Sequence, residues 1–440
     1  MTSQPLGGSI GGARGAAPAR ANVALALLTL VYVFNFIDRQ ILNILAEPIA
    51  RELQLSDTQI GLMTGLAFAV FYTFMGIPLA RWADNPRSSR ITLMAVCLVV
   101  WSGMTALSGL AQNFVQLLLA RIGVGAGEAG CTPAAISLIA EVFPAKKRAS
   151  ALGIYMMGVP IGSLVGLVAG GLLADAFGWR TAFLLVGLPG VVLAAVLMVA
   201  VRDPRKEAGA AAVASPRLQF REVLKELFAS RVFVLLIIAN TVGAFLAYGK
   251  GVWQIIFFIR SHHLTAGEVG LWLGLTGGTC GLIGSALGGR IGDYLGGRNP
   301  RHYFTVPAIG QLCAIPFLVA AYSVGDWRLA VALLTVPAVV GTLNYGPGMA
   351  TTQAIFRPQS RAMATAVKLF VQTLIGLGLG PLFFGVLSDA LKPAAGEESV
   401  RQVLLCAAFL GVIPGVALLF AGRTLPAELA RRAAADQEEA

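Results

Sequence analysis

The sequence predicts an all-α membrane protein with twelve transmembrane helices in two six-helix bundles. Composition, the lengths of the apolar runs and the placement of the basic residues predict this fold. Hydrophobic residues make up 56% of the 440 positions and charged residues only 12%, which is too apolar for a soluble globule. Lipid offers the backbone no hydrogen-bond partners, so each crossing needs a helix of about 20 apolar residues.

Apolar runs of that length recur twelve times along the chain. The predicted spans, numbered in chain order, are 22–45, 58–80, 91–110, 114–141, 149–174, 180–201, 231–258, 268–288, 303–323, 328–355, 362–389 and 400–422. The predicted domains are a tail without regular structure at 1–21, a first bundle at 22–201, a linker at 202–230, a second bundle at 231–423 and a second tail at 424–440.

The basic residues predict the orientation in the membrane. Of 33 lysines and arginines, 23 fall in tails and loops on one side of the predicted membrane and 6 on the other. Because basic loops remain cytoplasmic, we expect both termini in the cytoplasm and the protein in the inner membrane of the cell. The net charge of +11 is spread over many loops, so a nucleic-acid partner is not expected.

The linker contains an amphipathic run, "SPRLQFREVLKELFAS". Ser215 can cap a helix, Pro216 suits its first turn, and apolar residues from Phe220 to Phe228 recur at helical spacing. We expect a helix on the cytoplasmic membrane surface. A partly ordered, solvated linker is the alternative.

The sequence predicts no metal and no cofactor. Its five cysteines all fall within predicted spans, and the doublet His262-His263 lies in an outer loop without further ligands beside it. The glycine-rich runs inside spans follow no strand, so they are typical of close helix packing rather than nucleotide binding.

The motif Gly-x-x-x-Asp recurs where spans end and changes side every three spans. It occurs in "GLLADAFGWR" (171–180), "GRIGDYLGGR" (289–298) and "GVLSD" (385–389), with a degenerate form in "GIPLARWADNPRSSR" (76–90). Inverted repetition of this kind indicates nested three-helix units, as in secondary transporters.

The chemistry of this motif suits a separable contact between helices. Its glycine allows close approach, and its aspartate can accept hydrogen bonds from an adjacent helix start and pair with the following arginine. We therefore predict a gate built from five charged residues of the repeats: Asp175, Arg180, Asp293, Arg298 and Arg81.

These features resemble the major facilitator superfamily, through the twelve spans, "GRIGDYLGGR", "RIGVGAGEAG" (121–130) and "GIYMMGVPIGSLVGLVAGG" (153–171). Within it, "NFIDRQ" and "GEAGCTPAAISLIAEVFPAKKRASALGIY" are similar to the Spinster branch, which includes lysolipid and sphingosine-phosphate exporters. The resemblance implies two bundles that rock around a central cavity, with spans one and four facing each other across it.

Charged residues inside the first bundle are the main functional candidates, because burying a charge in a bilayer costs at least about 2.5 kcal/mol. Asp38 and Arg39 lie in span one, while Arg121 and Glu128 share one face of span four. The resemblance implies that the four can meet. We predict that Asp38 carries a proton, that Arg121 is its counter-charge, with Arg39 beside it, and that Glu128 is a second titrating or gating acid. A static ion network that only orients the two spans is the alternative.

In the second bundle, Lys250 and Lys368 lie within spans seven and eleven beside glycine or polar residues. Together with Arg39 and Arg121 they predict a positive cavity that suits an anionic head group, although each lysine could instead extend to the membrane surface. Asn344 and Tyr345 open a Gly/Pro-rich break in span ten. The predicted substrate-binding residues are Arg39, Arg121, Glu128, Lys250, Tyr345, Asn344, Lys368 and Tyr155.

The predicted function is proton-coupled secondary transport by alternating access. The resemblance implies a lysophospholipid or related amphipathic anion as the substrate, moved by a monomer whose other partners are protons and membrane lipids. A drug or organic-anion antiporter and a sugar-acid importer are alternatives within transport. A membrane enzyme is disfavoured because no nucleophile-base set appears in the sequence, and a channel or receptor would show no saturable exchange.

Overall fold

The computed structural model describes residues 18–85, 88–205 and 220–438. Within these ranges the regular structure is entirely helical. Ten continuous helical stretches there are long and apolar enough to cross a membrane, and two of them, Lys146–Ala200 and Met363–Ala434, are long enough to cross twice. The predicted twelve-helix, all-α fold is confirmed.

The twelve membrane helices are labelled in chain order. They are α1 (Pro18–Leu53), α2 (Asp57–Asp84), α3 (Arg90–Ser108), α4 (Phe114–Val142), α5 (145–177), α6 (179–200), α7 (Arg231–His262), α8 (Ala266–Gly296), α9 (His302–Ser323), α10 (Trp327–Ile355), α11 (358–395) and α12 (399–438). We call α1 to α6 the first half and α7 to α12 the second half.

The chain reverses direction between consecutive helices, which defines two faces of the bundle. We call the face where α1 begins and α12 ends the terminal face, and the other the opposite face. Glycines with positive φ occur at two reversals on the opposite face: Gly178 (φ 79°) between α5 and α6, and Gly396 (φ 57°) between α11 and α12. Such values are easy for glycine and strained for other residues.

Glycine spacing explains how α5 holds α1 in place. Gly158, Gly162, Gly166 and Gly170 recur every four residues and are all buried. They face α1 so closely that a Cβ at Gly166 would lie 2.9 Å from the Cα of Ile37. Close backbone packing of this kind needs small residues in membrane helices. It fixes α1 at the level of Asp38.

The two halves meet along α2 and α11, and both helices widen there into π-helical segments, Leu62–Leu66 and Gln372–Leu379. Gly65 abuts the carbonyl of Gly378, where an added Cβ would lie at 2.7 Å from the oxygen. π-helical turns often mark functional positions in helices. Here they lie where the halves contact each other.

The predicted linker helix is present at Phe220–Ala229, whereas Ser215 and Pro216 lie outside the described residues. Val223 and Leu227 are buried against the second half. Glu226 accepts a 2.7 Å hydrogen bond from the hydroxyl of Ser360, at the start of α11. These contacts attach the helix to the terminal face of the second half.

The first half has a buried ion cluster at its terminal face. Asp203 accepts hydrogen bonds from the Nη2 (2.6 Å) and backbone nitrogen (2.7 Å) of Arg90. The same guanidinium contacts Glu141 at 2.8 Å. The cluster therefore joins the start of α3, the end of α4 and the segment after α6. Burial alone would raise the pKa of Asp203, but the hydrogen bonds from Arg90 lower it below its ordinary value.

Asp203→Ala should destabilise the first half by about 3 kcal/mol, because it leaves a wholly buried guanidinium short of its main partner. Thermal unfolding in detergent measures this effect. Glu141→Ala is the matched control, since that carboxylate is 37% exposed and its loss should cost less than about 1 kcal/mol.

The effect should depend on pH with a definite sign. Because folding lowers the pKa of Asp203, its stabilisation is complete above the ordinary aspartate value of about 4 and is lost as the pH falls through the lowered value. Wild type and Asp203→Ala should therefore differ at pH 7 and converge in strong acid. A difference that persists unchanged in strong acid would contradict this account.

Candidate functional site

A cavity of about 660 Å³ lies between the two halves, a volume typical of small-molecule sites. The first half lines it with residues of α1, α2 and α4 that include Phe36, Arg39, Phe68 and Arg121. The second half contributes residues of α7, α10 and α11 that include Lys250, Asn344, Tyr345, Lys368 and Gln372. Six of the predicted site residues therefore share one cavity.

In the first half, Arg39 is held by an acid and by aromatic rings. Its Nε donates a 2.8 Å hydrogen bond to Oε2 of Glu128, whose side chain is wholly buried. The guanidinium carbon lies 4.9 Å from the ring centroids of both Phe68 and Tyr72, and 5.2 Å from that of Phe36. Cation–π contacts and a charge-assisted hydrogen bond together fix this side chain at the cavity wall.

Glu128 is placed by an interruption in α4. The helix ends at Glu128 and a second helical segment begins at Cys131. Gly127 and Gly130 at this interruption pack against Trp101 and Cys97 of α3. The interruption sets the carboxylate beside α1, where Arg39 can reach it.

Asp38 lies behind the cavity wall rather than on it. The side chain is wholly buried and, among the described residues, it is not one of those that line the cavity. Arg121 and Glu128 face it from α4, but neither carboxyl oxygen makes a hydrogen bond within the described structure, nor do Nε and Nη1 of Arg121. The structure thus groups the four predicted charges but exposes only Arg39 and Arg121 to the cavity.

The second-half wall is polar and positively charged. Neither Lys250 nor Lys368 has an acidic partner among the residues that the structure describes. Asn344 lies at the break in α10 between Gly341 and Tyr345, and its Nδ2 is 3.4 Å from Oδ1 of Asn240. This wall can therefore bind an anion: the two lysines supply positive charge, and the side-chain amides supply hydrogen bonds.

Tyr155 is not at the cavity. It is 1% exposed and stacks on Tyr32 of α1, with ring centroids 4.4 Å apart and planes 13° from parallel. The ring therefore packs α5 against α1, and the predicted substrate contact at Tyr155 has no support in this structure. The cavity lining does include four of the other predicted residues: Asn344, Tyr345, Lys250 and Lys368.

Two of the repeated motifs join the halves at the opposite face by the same contact. Oδ2 of Asp175, at the end of α5, accepts a 2.9 Å hydrogen bond from the backbone of Gly267, at the start of α8. Asp389, near the end of α11, accepts bonds of 3.1 and 2.7 Å from the backbones of Asp57 and Thr58, at the start of α2. Both aspartates thus bind a helix N-terminus, where the backbone dipole favours negative charge.

The motif glycines make the same contact possible. A Cβ at Gly171 would collide with the carbonyl of Ala266, and a Cβ at Gly385 would collide with that of Asp57. We call these two contacts, Gly171/Asp175 with α8 and Gly385/Asp389 with α2, the paired latches. The first latch joins α5 to α8 and the second joins α11 to α2, so each half contributes one motif, as the inverted repeat predicts.

The arginines of the motifs do not pair with the motif aspartates. Arg180 binds Glu52 of α1 at 2.8 Å, stacks on Trp179 and donates to carbonyls after α3. Arg298 lies over the ring of Tyr294, 4.3 Å from its centroid, and the described residues show no ion pair between it and Asp293.

Arg81 is exposed at the terminal end of α2. The predicted pairing of aspartate with the following arginine is therefore wrong for Asp175 and Arg180, because after the turn at Gly178 Arg180 lies against Glu52 of α1.

A buried ion cluster that the sequence did not predict lies at the opposite face. Arg260 of α7 donates to both oxygens of Asp57 (3.0 and 2.9 Å) and through Nε to Glu47 (2.8 Å). Asp57 also accepts a 2.6 Å bond from Ser388 and lies 3.3 Å from Nζ of Lys392. We call this set the gate cluster, and it joins α1 and α2 to α7 and α11.

The miss has a physical reason. The predicted spans end at residues 45 and 258, whereas α1 continues to Leu53 and α7 to His262, so residues assigned to loops lie on helices. One signal in the sequence could have located Asp57. Ser56 and Gln59 form a capping box, which fixes the start of α2 at Asp57.

The fold and site are those of a membrane transporter. The profile of the Major Facilitator Superfamily matches residues 28–381, and the chain belongs to this superfamily. Its relatives are transporters, which confirms the prediction that it is not an enzyme.

Within the superfamily the chain is related to Spinster proteins. An MFS-type efflux pump of Mycolicibacterium smegmatis is 36% identical over 393 residues, which cover 88% of this chain and 89% of the pump. Protein spinster homolog 1 of Homo sapiens is 27% identical over 432 residues, 92% of this chain and 81% of that protein. A bacterial homologue of the human lysosomal transporter Spinster, in an inward-facing and unoccupied conformation, superposes with a TM-score of 0.84 at 32% identity, over 94% of this chain and 99% of that one. The Spinster-like resemblance is confirmed.

Arg260→Ala should open the opposite face, because it leaves Asp57 and Glu47 without their main cation at a cost of about 3–5 kcal/mol to the closed form. Spin labels at Gln112, between α3 and α4, and at Ser323, the last residue of α9, report the separation by double electron–electron resonance in a cysteine-free background. The distance distribution should gain a longer component.

Arg180→Ala is the matched control, since within the described residues Arg180 bonds only to the first half. It should leave the distribution unchanged. If Arg260→Ala behaves like Arg180→Ala, the gate cluster does not hold the halves together.

Proposed function

We propose that this protein is a proton-coupled secondary transporter that moves a lysophospholipid or related amphipathic anion outward across the inner membrane by alternating access. The observation that carries the proposal is the positive cavity between the halves, with a buried carboxyl group directly behind its wall.

The contacts between the halves support an inward-facing state. The paired latches and the gate cluster all lie at the opposite face. The excess of basic residues on the terminal side supports a cytoplasmic terminal face. A closed opposite face then leaves the cavity to be reached from the cytoplasm, as in the inward-facing Spinster homologue.

The cavity walls suit a substrate with both charge and apolar surface. Lys250 and Lys368 provide cations, and Leu246, Ile315 and Leu377 are among the apolar residues of the lining. Arg39 is already paired with Glu128, so the lysines are the cations best placed to bind an anionic head group. Ligand sites of this kind combine apolar lining with a few placed polar groups.

Asp38 is the proposed proton carrier because burial favours the neutral form of a carboxylic acid, while a nearby guanidinium favours the charged form. Arg121 both faces Asp38 and borders the cavity. A movement that changes their separation would therefore couple proton binding to the conformation of the halves. The alternative, a static ion network, predicts transport that ignores the pH gradient.

Drug or organic-anion efflux is the second candidate. The relative from Mycolicibacterium smegmatis is named an efflux pump, which favours outward movement and leaves the substrate class open. A sugar-acid importer would instead accumulate a hydrophilic acid. Purified protein in liposomes, given a lysolipid and soluble organic acids side by side under an imposed pH gradient, separates these possibilities.

Asp38→Asn should abolish the response of transport to the pH gradient, with at least a tenfold loss of gradient-driven rate, because the amide cannot exchange a proton. Transport in liposomes with and without a gradient measures it. Asp326→Asn, at the exposed N-cap of α10, is the control and should keep the response. Normal gradient-driven transport by Asp38→Asn would support the static network.

Lys250→Gln and Lys368→Gln should each raise the apparent KM for an anionic substrate about tenfold, which corresponds to about 1.4 kcal/mol of lost attraction. Lys250→Arg and Lys368→Arg preserve the charge and should raise it much less. Initial rates over a range of substrate concentrations measure both. Equal KM values for the glutamine and arginine variants would remove the lysines from the binding site.

A further inference from the structure

Helix α3, which lies behind Asp38, carries buried polar side chains that have no role in the proposed transport cycle described above. Trp101 and Thr105 of α3 are both wholly buried and lie one helical turn apart. Both face the carboxyl group of Asp38. The indole Nε1 and the threonine hydroxyl are close enough to the carboxyl group to interact with it, but neither they nor the carboxyl oxygens make a hydrogen bond of normal length and angle within the described structure.

Such a grouping is unusual in a protein interior. Most buried polar atoms are hydrogen-bonded, so a set of unpaired donors beside an unpaired acceptor needs an explanation. Packing rules out an easy shift of α3: a Cβ at Gly127 of α4 would lie 2.8 Å from the backbone nitrogen of Trp101. A closer contact therefore depends on the side chains rather than on a movement of α3.

The chemistry of the two side chains differs in a useful way. An indole N–H can only donate a hydrogen bond, whereas a hydroxyl can donate or accept. An ionised Asp38 could accept from both. A protonated Asp38 could accept from Trp101 at its carbonyl oxygen and donate its own proton to Thr105. The pair can therefore hold the carboxyl group in either protonation state, which the permanently charged Arg121 cannot do.

We propose that Trp101 and Thr105 are positioning residues of the proton switch, which hold the Asp38 carboxyl group when it is away from Arg121. This inference rests on the proposed function, since it needs Asp38 to exchange a proton. The other charged groups near Asp38 are Arg121 and Glu128 on α4 and its neighbour Arg39 on α1. Trp101 and Thr105 thus offer the carboxyl group of Asp38 uncharged hydrogen-bond partners, in contrast to the charged groups of α1 and α4.

The test is the pH profile of transport in liposomes. Trp101→Phe removes a donor that binds the charged carboxylate of Asp38 more strongly than the neutral acid, so the midpoint of the profile should move up by about one pH unit, a tenfold change in proton concentration. Thr105→Val should move it in the same direction but less, because the hydroxyl serves both protonation states. Thr105→Ser, which restores the hydroxyl, should return the midpoint to the wild-type value.

Trp253→Phe is the matched control. Trp253 is also wholly buried, but its Nε1 donates to the carbonyl of Pro381 at 2.9 Å, and it is not among the groups that act on Asp38. Its loss should lower thermal stability and leave the pH midpoint unchanged. If Trp101→Phe does not fold, the comparison of the isosteric Thr105→Val with Thr105→Ser still tests whether α3 positions the Asp38 carboxyl group.

Infrared difference spectroscopy adds a direct signature. The carboxyl band that disappears in Asp38→Asn should change frequency in Trp101→Phe and not in Trp253→Phe. Combining Trp101→Phe with Asp38→Asn should have no further effect on the pH profile.

The outcomes separate the two proposals. Midpoints that stay at the wild-type value, or fall, in both Trp101→Phe and Thr105→Val would show that α3 only packs against Asp38 and would overturn the inference. In that case the loss of pH response in Asp38→Asn would still support proton coupling. An Asp38→Asn variant with an intact pH response would overturn proton coupling itself, and the inference with it.

Discussion

The contact of Arg260 with Asp57 and Glu47 is the interaction on which the described conformation depends. It places charges of both signs at the boundary of the two halves in a region that is largely shielded from water. A charge in such surroundings needs its partner, since the Coulomb attraction only offsets the loss of hydration when the geometry is close. The halves can separate at this face only if water replaces each partner. Closure and hydration of this face are therefore linked.

The paired latches act on the same boundary through backbone groups. Asp175 and Asp389 each accept hydrogen bonds from the first turn of a helix in the other half. They join α5 to α8 and α11 to α2, so the two contacts are equivalent under the pseudo-symmetry of the halves. The gate cluster lies next to the second latch and shares Asp57 with it. This asymmetry makes the α2–α11 side the more strongly held of the two.

The twelve helices could be predicted from the sequence, because hydropathy and periodicity act locally. The grouping of Arg39, Arg121 and Glu128 near Asp38 was implied only by the resemblance to the major facilitator superfamily. The position of Arg260 could not be predicted, because a charge just beyond an apolar run is indistinguishable from a loop charge until the helix length is known. The sequence also does not tell whether Asp38 or Arg39 faces the cavity, since helical spacing gives the angle between the two side chains but not which of them points inward. Trp101 and Thr105 were missed because nothing local marks a buried tryptophan as a partner of a distant acid.

The π-helical segment of α2 has a consequence for the gate cluster. Each residue of a helix turns the chain by about 100°, and the segment Leu62–Leu66 contains one residue more per turn than an α-helix would. That surplus residue sets the rotational phase of the short helical turn Asp57–Gly61 that precedes it. Without it, Asp57 would point about a quarter-turn away from Arg260, and Gly61 would no longer face Pro381. The length of this one stretch, and not only its composition, therefore determines whether the two halves can meet.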